Sequence, residues 1–254
     1  MDNPSTTPTY AIPAAIVIAG LLIAGAIFYR SENPNVAVGA VNPKLDTVKG
    51  IQTGDHVRGS ADAPIAIVDF SDTECPFCKR FHASMIEMMK DYQNGSQVAW
   101  VYRHFPLVSL HSKAPKEAEA TECAAEVGGE EAFWKYVDRL YEVTPANNGL
   151  DLAQLPVIAK EIGLDQAAFE SCLASGKYQD RVNADLAAAE AAGGSGTPFP
   201  VIVSEKKIKA DLSAYMQPGQ ELIEVSKDGK KVALRGALPT ELLKEIVAKI
   251  VANK

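Results

Sequence analysis

IAIVDFSDTECPFCKRF, residues 65–81, is the stretch whose reading decides the fold. Its first six residues, Ile65–Phe70, form a short apolar, β-rich run that ends in Ser71-Asp72-Thr73-Glu74. Such a run, bounded by turn-forming residues, predicts a buried strand. Pro76 then suits the first position of a helix, where a missing N–H is one of the unpaired ones anyway. Phe81, Met85, Met88 and Met89 follow at helical spacing and predict a core-facing side. A strand therefore runs almost directly into a helix, with two cysteines at the junction.

Outward from this unit, Val98–Phe105 predicts a second strand closed by Pro106. A helical block follows, punctuated into Pro115–Val127, Glu130–Glu142, Asp151–Ile162, Asp165–Ala174 and Tyr178–Ala192, with Gly128-Gly129 as the first break. Val201–Val203 predicts a third strand. Glu221–Val225 and Lys231–Leu234 flank Asp228-Gly229, a strong hairpin signal. Pro239–Val251 reads as a last amphipathic helix. The order β–α–β, helices, β–β, α predicts a mixed α/β sheet, interrupted by the helical block. This folded domain is expected over about 56–254.

The amino terminus has a different composition. Residues 11–29, AIPAAIVIAGLLIAGAIFY, contain no charge. As a helix they would span roughly 28 Å, close to a hydrocarbon core of about 30 Å. Tyr10, Phe28 and Tyr29 sit at the ends, where an aromatic belt is expected. A cleaved signal peptide is the rival reading. Residues 1–10, however, carry no Lys or Arg, and the small residues Ala37–Ala40 lie far beyond the apolar run. The expectation is a tail (1–10), a single transmembrane anchor (11–29) and a tether (30–55) containing Pro34 and Pro43. The chain of 254 residues has a net charge of −7, with 47% apolar and 22% charged residues. That composition argues against nucleic-acid binding, which would call for a basic face.

Cys75-Pro76-Phe77-Cys78 is a C-x-x-C, a pattern open to a redox pair, half a zinc site or chance. Cys75 is placed at a helix start, where free N–H groups and the helix dipole favour a thiolate. Cys78, one turn on, could reach back to close a disulfide. A zinc site wants four ligands, but Cys123 and Cys172 stand singly and His56, His82, His104 and His111 are scattered. The redox reading is therefore preferred, with no metal and no cofactor. Gly196-Thr197-Pro198 precedes a strand. It is either an ordinary turn proline or a cis bond that would offer the Thr197 backbone to a substrate peptide. Asp69 sits within the apolar strand. If buried, its pKa rises and it could shuttle a proton for Cys78; otherwise it faces solvent at a strand edge. Glu74, beside Cys75, is read as solvated. Cys123 and Cys172 are either buried free thiols or partners in a disulfide. His104 and His111 read as structural or surface residues.

The runs VDFSDTECPFCKRFH (68–82), YRHFPL (102–107), TECAAE (121–126), FW (133–134), FESCLASGKY (169–178) and GTPFPVIV (196–203) occur in this order. Together they closely resemble the DsbA-like thiol–disulfide oxidoreductases over about residues 56–254. The resemblance implies a thioredoxin fold with a helical insertion at roughly 109–193. It implies Cys75 as attacking thiol, Cys78 as resolving thiol and Pro198 as a cis-proline, with Thr197, Pro76 and Phe77 beside the substrate. A structural Cys123–Cys172 disulfide is seen in some relatives. The family is usually extracytoplasmic, which implies a cytoplasmic N-terminus and an exported domain at the cell membrane. Its partners would be cysteine-containing exported proteins and a membrane redox partner that recycles the pair. Members often carry Pro-His between the cysteines; Phe77 departs from that and implies a weaker oxidant. A reductase or isomerase kept reduced by a membrane donor is the same-chemistry alternative. A peptide-binding chaperone module, with the cysteines incidental, is the alternative of another class.

Overall fold

A computed structural model describes residues 41–92, 97–217 and 219–253. The expected tail, anchor and first part of the tether lie outside the described residues. Among those described, no helix is long and apolar enough to cross a membrane.

Six strands form one mixed sheet: β1 (His56–Arg58), β2 (Ile65–Ser71), β3 (Val98–His104), β4 (Phe199–Ser204), β5 (Ile223–Val225) and β6 (Lys231–Leu234). Their order is β1-β3-β2-β4-β6-β5. β2 and β3 run parallel and the other neighbours antiparallel. Helix α1 (Pro76–Met89) links β2 to β3. Helices α2 (Ala114–Val143), α3 (Leu155–Glu161), α4 (Gln166–Ser175) and α5 (Gln179–Ala191) lie between β3 and β4, and α6 (Thr240–Ala252) follows the hairpin. This is a mixed α/β thioredoxin-like fold with a helical insertion.

Strand alternation sorts β2 between two layers. Ile65 and Ile67 pack with Phe81, Met85 and Met88 of α1 and with Ile246, Val247 and Ile250 of α6. Ala66, Val68 and Phe70 point the other way, onto Ala189 of α5 and onto Leu45 and Val48. Asp69 shares the parity of Ile65 and Ile67, so its carboxylate is carried into the α1 layer. A third cluster joins α2, α3 and α4 through Tyr136, Leu140, Leu155, Ile158 and Phe169.

Two details differ from the sequence reading. Residues 41–55, expected as tether, belong to the folded body. Leu45 and Val48 are buried, Asn42 N–H donates to the Val225 carbonyl at 2.8 Å, and Arg103 binds Asp55 at 2.8 Å. The apolar pair at 45 and 48 supplies the burial that a polar tether lacks. β1 was not anticipated, because three residues are too short to display an alternation. The expected break at Gly128-Gly129 is present: Gly129 leaves helical backbone, with a φ of 76° that suits glycine, so α2 is two helical segments meeting at a kink there.

Candidate active site

Cys75 caps α1 in extended backbone and Pro76 begins the helix. The Cys75 N–H donates to the Asp72 carbonyl at 3.1 Å, fixing the strand-to-helix corner. Both Cys75 and Cys78 are buried free thiols. The Cys75 thiol donates to the Thr197 carbonyl at 3.4 Å, and the Asp72 N–H donates to Cys78 Sγ at 3.4 Å. The Thr197–Pro198 bond is cis. The structure thus brings Cys75, Cys78, Pro76, Thr197 and Pro198 together across the ends of β2 and β4. Phe77 is about half exposed, with the Arg80 guanidinium over its ring. A cleft of about 530 Å³ opens beside the Thr197–Pro198 turn, bounded across from it by Leu234, Arg235 and Gly236.

The two sulfurs are driven in opposite directions. Cys75 is lowered to about 6. The largest cause is the hydrogen bond from the Cys78 thiol; burial opposes it, and the Thr197 side-chain hydroxyl and the backbone N–H groups of Cys78 and Phe77 assist. Cys78 is pushed well above the usual thiol range, first by burial and then by the adjacent Cys75 and the charge of Asp69. The first proton therefore leaves Cys75, and Cys78 holds its own.

Asp69 is fully buried and raised to about 7, chiefly by burial. The Ser71 hydroxyl donates to its Oδ1 at 2.9 Å, while Oδ2 has no partner among the described residues. The Trp100 indole N–H lies near enough to favour the anion without meeting hydrogen-bond geometry. The solvent-edge reading of Asp69 is thus excluded.

Several residues that the sequence reading passed over organise this corner. Asp72 is a buried hub: Oδ1 accepts from Glu74 N–H at 2.8 Å, and Oδ2 accepts from Leu107 N–H at 2.7 Å and pairs with His111 Nδ1 at 2.9 Å. The Asp72-x-Glu74 spacing before a helix was the available signal, since Asp commonly accepts an N–H two residues on. Glu74, expected as solvated, is fully buried. Its carboxylate accepts from Gly149 and Leu150 N–H at 3.3 and 3.4 Å, because the 144–150 loop folds over it. His104 and His111 are both buried and paired with carboxylates, His104 with Glu122 at 2.8 Å.

Cys123 and Cys172 are joined in a disulfide, with Cα atoms 5.7 Å apart, linking α2 to α4 away from this corner. Among the described residues, no cluster of His, Cys, Asp and Glu could hold a metal ion.

Comparison with known proteins fits this geometry. A family model described as Thioredoxin matches residues 52–217, so the chain belongs to the thioredoxin family, in its DsbA-like form. Pseudomonas aeruginosa DsbA2 superposes with TM-score 0.56 at 27% identity, covering 78% of this chain and 95% of that one. Wolbachia pipientis alpha-DsbA1 shares the fold with TM-score 0.63 at 20% identity, covering 82% and 96%. Among curated proteins, the Na(+)/H(+) antiporter NhaA 3 of Salinispora tropica is 37% identical over 144 residues, 57% of this chain. The chain spans about a fifth of the length of such curated relatives, 21% in that case.

Proposed function

We propose that the protein is a membrane-anchored, extracytoplasmic dithiol oxidase that inserts disulfides into exported proteins through Cys75 and Cys78. The observation that carries this reading is the opposed tuning of the two sulfurs. In the oxidised enzyme, a substrate thiolate attacks Cys75 Sγ, the Cys75–Cys78 bond breaks, and Cys78 leaves. Cys78 is a poor thiolate, so it needs a proton. Asp69, buried in the same layer and raised to about 7, is the acid we assign to supply it. The second substrate thiolate attacks the substrate sulfur of the mixed disulfide, and Cys75 departs as a stable thiolate. The substrate loses two electrons and two protons. The enzyme keeps both electrons and one proton, and the other proton goes to solvent. Oxidation of the reduced pair by a membrane redox partner completes the cycle.

The tuning of Cys75 supports the oxidising direction. A thiolate with a pKa near 6 stabilises the reduced pair at pH 7 by at most about 1.4 kcal/mol relative to an ordinary thiol. That equals about 30 mV toward oxidant, less whatever solvent screens. The contribution is present above pH 6 and fades as pH falls through that value. Phe77 favours the second reading, a reductase or isomerase, because it offers no charge or hydrogen bond to the thiolate. The anchor at 11–29 and the exported location rest on the apolar run and the family resemblance. Trapping Cys75 and Cys78 in cells with an alkylating reagent separates the readings. A mostly oxidised pair supports the oxidase; a mostly reduced pair replaces it with the reductase.

A further inference from the structure

Behind the redox corner lies a second pair of groups that the thiol chemistry does not use. Glu117 of α2 is fully buried, and its two carboxyl oxygens, like the Thr73 hydroxyl beside them, complete no hydrogen bond among the described residues. The carboxyl group of Glu74, also fully buried, lies beside it and is, after burial, the largest influence on its proton. Two buried carboxylates cannot both stay ionised in contact, and one retained proton removes both difficulties. A protonated Glu117 donates to Glu74, and the remaining Glu74 oxygen capacity accepts the Gly149 and Leu150 N–H groups.

The residues so held are unusual. Ala146, Asn147 and Asn148 all have positive φ, at 65°, 54° and 61°. Three consecutive non-glycine residues in that region persist only where their surroundings hold them. The fastenings converge on the start of α1. Asn147 N–H donates to the Glu74 carbonyl at 2.8 Å, and Lys79 Nζ donates to the Thr144 carbonyl at 2.7 Å. Asn148 ties the same loop to the 106–113 segment, receiving Lys113 N–H at 3.2 Å and donating to the Leu110 carbonyl at 2.8 Å.

We propose that Glu74 and Glu117 share one proton, and that this proton latches the 144–150 loop onto the start of the redox helix, so that the pair positions Cys75. The latch works through Glu74, the residue before Cys75. The other groups facing the pair are Asp72 and the Thr73 hydroxyl from the same corner and Tyr136 from α2. The Lys113 ammonium lies on the Leu150 carbonyl, and His111 faces Asp72. Asp72 raises the cost of a second negative charge, and Glu117 is pushed up to about 9, mainly by burial and then by Glu74. Above that pH the proton leaves, the two carboxylates repel, and the Gly149 and Leu150 N–H groups lose their hold on Glu74, while the Asn147, Asn148 and Lys79 bonds remain.

The test uses the full chain with carboxyl-labelled glutamate, followed by nuclear magnetic resonance, together with amide exchange at Gly149 and Leu150. The expected result is a Glu117 carboxyl still protonated at pH 7 and titrating near 9. Above that, protection of both amides, corrected for intrinsic rates, should fall about tenfold per pH unit. Glu117→Gln retains a donor to Glu74 that does not titrate. It should keep the protection at high pH and abolish the inflection near 9 in the pH profile of disulfide exchange. A Glu117 carboxyl titrating in the ordinary range near 4.5 would overturn the proposal. So would amide protection with the same pH dependence in both proteins. Only the exchange profile rests on the redox reading. The titration and the amide protection stand or fall without it.

Discussion

Two cysteine pairs share this chain and differ in nearly every respect that matters to sulfur. Cys75 and Cys78 are separated by two residues, sit at a helix start, and have neighbours that push their pKa values apart. Cys123 and Cys172 are 49 residues apart in sequence and are embedded in the apolar cluster that holds α2, α3 and α4 together. The first pair has hydrogen-bond donors aimed at its sulfurs and an ionisable acid sharing its layer. The second lies mainly among apolar side chains, with the Glu126 carboxylate 3.7 Å from Cys172 Sγ at its edge. Environment therefore divides one residue type between chemistry and bracing.

The largest effect expected from breaking that division is at Cys75. Cys75→Ser should bring disulfide exchange with a reduced protein substrate below detection. Turnover persisting in this variant would mean that the other pair, or no cysteine at all, does the work. Next, replacing Cys123 and Cys172 together by serine should lower unfolding free energy by about 4 kcal/mol on loop-closure entropy. Denaturant titration reads that loss. The exchange rate per folded molecule should stay unchanged, and a matching loss of rate would blur the two roles.

Asp69→Asn should slow exchange on the order of a hundredfold by removing the proton carrier. The rate profile should also lose its inflection near pH 7. The same carboxyl holds a proton in the folded state that the unfolded chain releases above about 4. Stability of the native protein should therefore decline between roughly pH 4 and 7, and the asparagine variant should flatten that decline. The smallest effect is expected from Phe77→His, which adds a donor near Cys75. It should make the pair more oxidising by a few tens of millivolts in glutathione equilibration. A shift the other way would remove the argument built on Phe77.

Much of this contrast was legible in the sequence, and the reason lies in locality. The strand at 65–70, the turn, Pro76 and the helical apolar spacing all sit within one short stretch, so β2, α1 and the cysteine junction follow from neighbours. The Asp228-Gly229 hairpin is equally local. What escaped depends on distant packing. Glu74 looked solvated because nothing beside it announces the 144–150 loop that covers it. Glu117 does carry a signal: with Ala114, Ala118 and Thr121 it falls at i, i+3, i+4 and i+7 on one buried helix face. Its partner, however, lies on another element. Leu45 and Val48 were lost among polar neighbours, and β1 pairs only because β3 offers it a free edge.

The central claim is that Cys75 is the sulfur that exchanges with substrate and the stable thiolate of the reduced pair, and that Cys78 is its protected partner. The most direct measurement is the rate of alkylation of each cysteine in the reduced protein against pH, with the sites separated by mass mapping. Cys75 should reach half its maximal rate near pH 6, and Cys78 should stay unreactive until well above pH 9. Two cysteines that alkylate together, with a common midpoint near pH 9, would contradict the account.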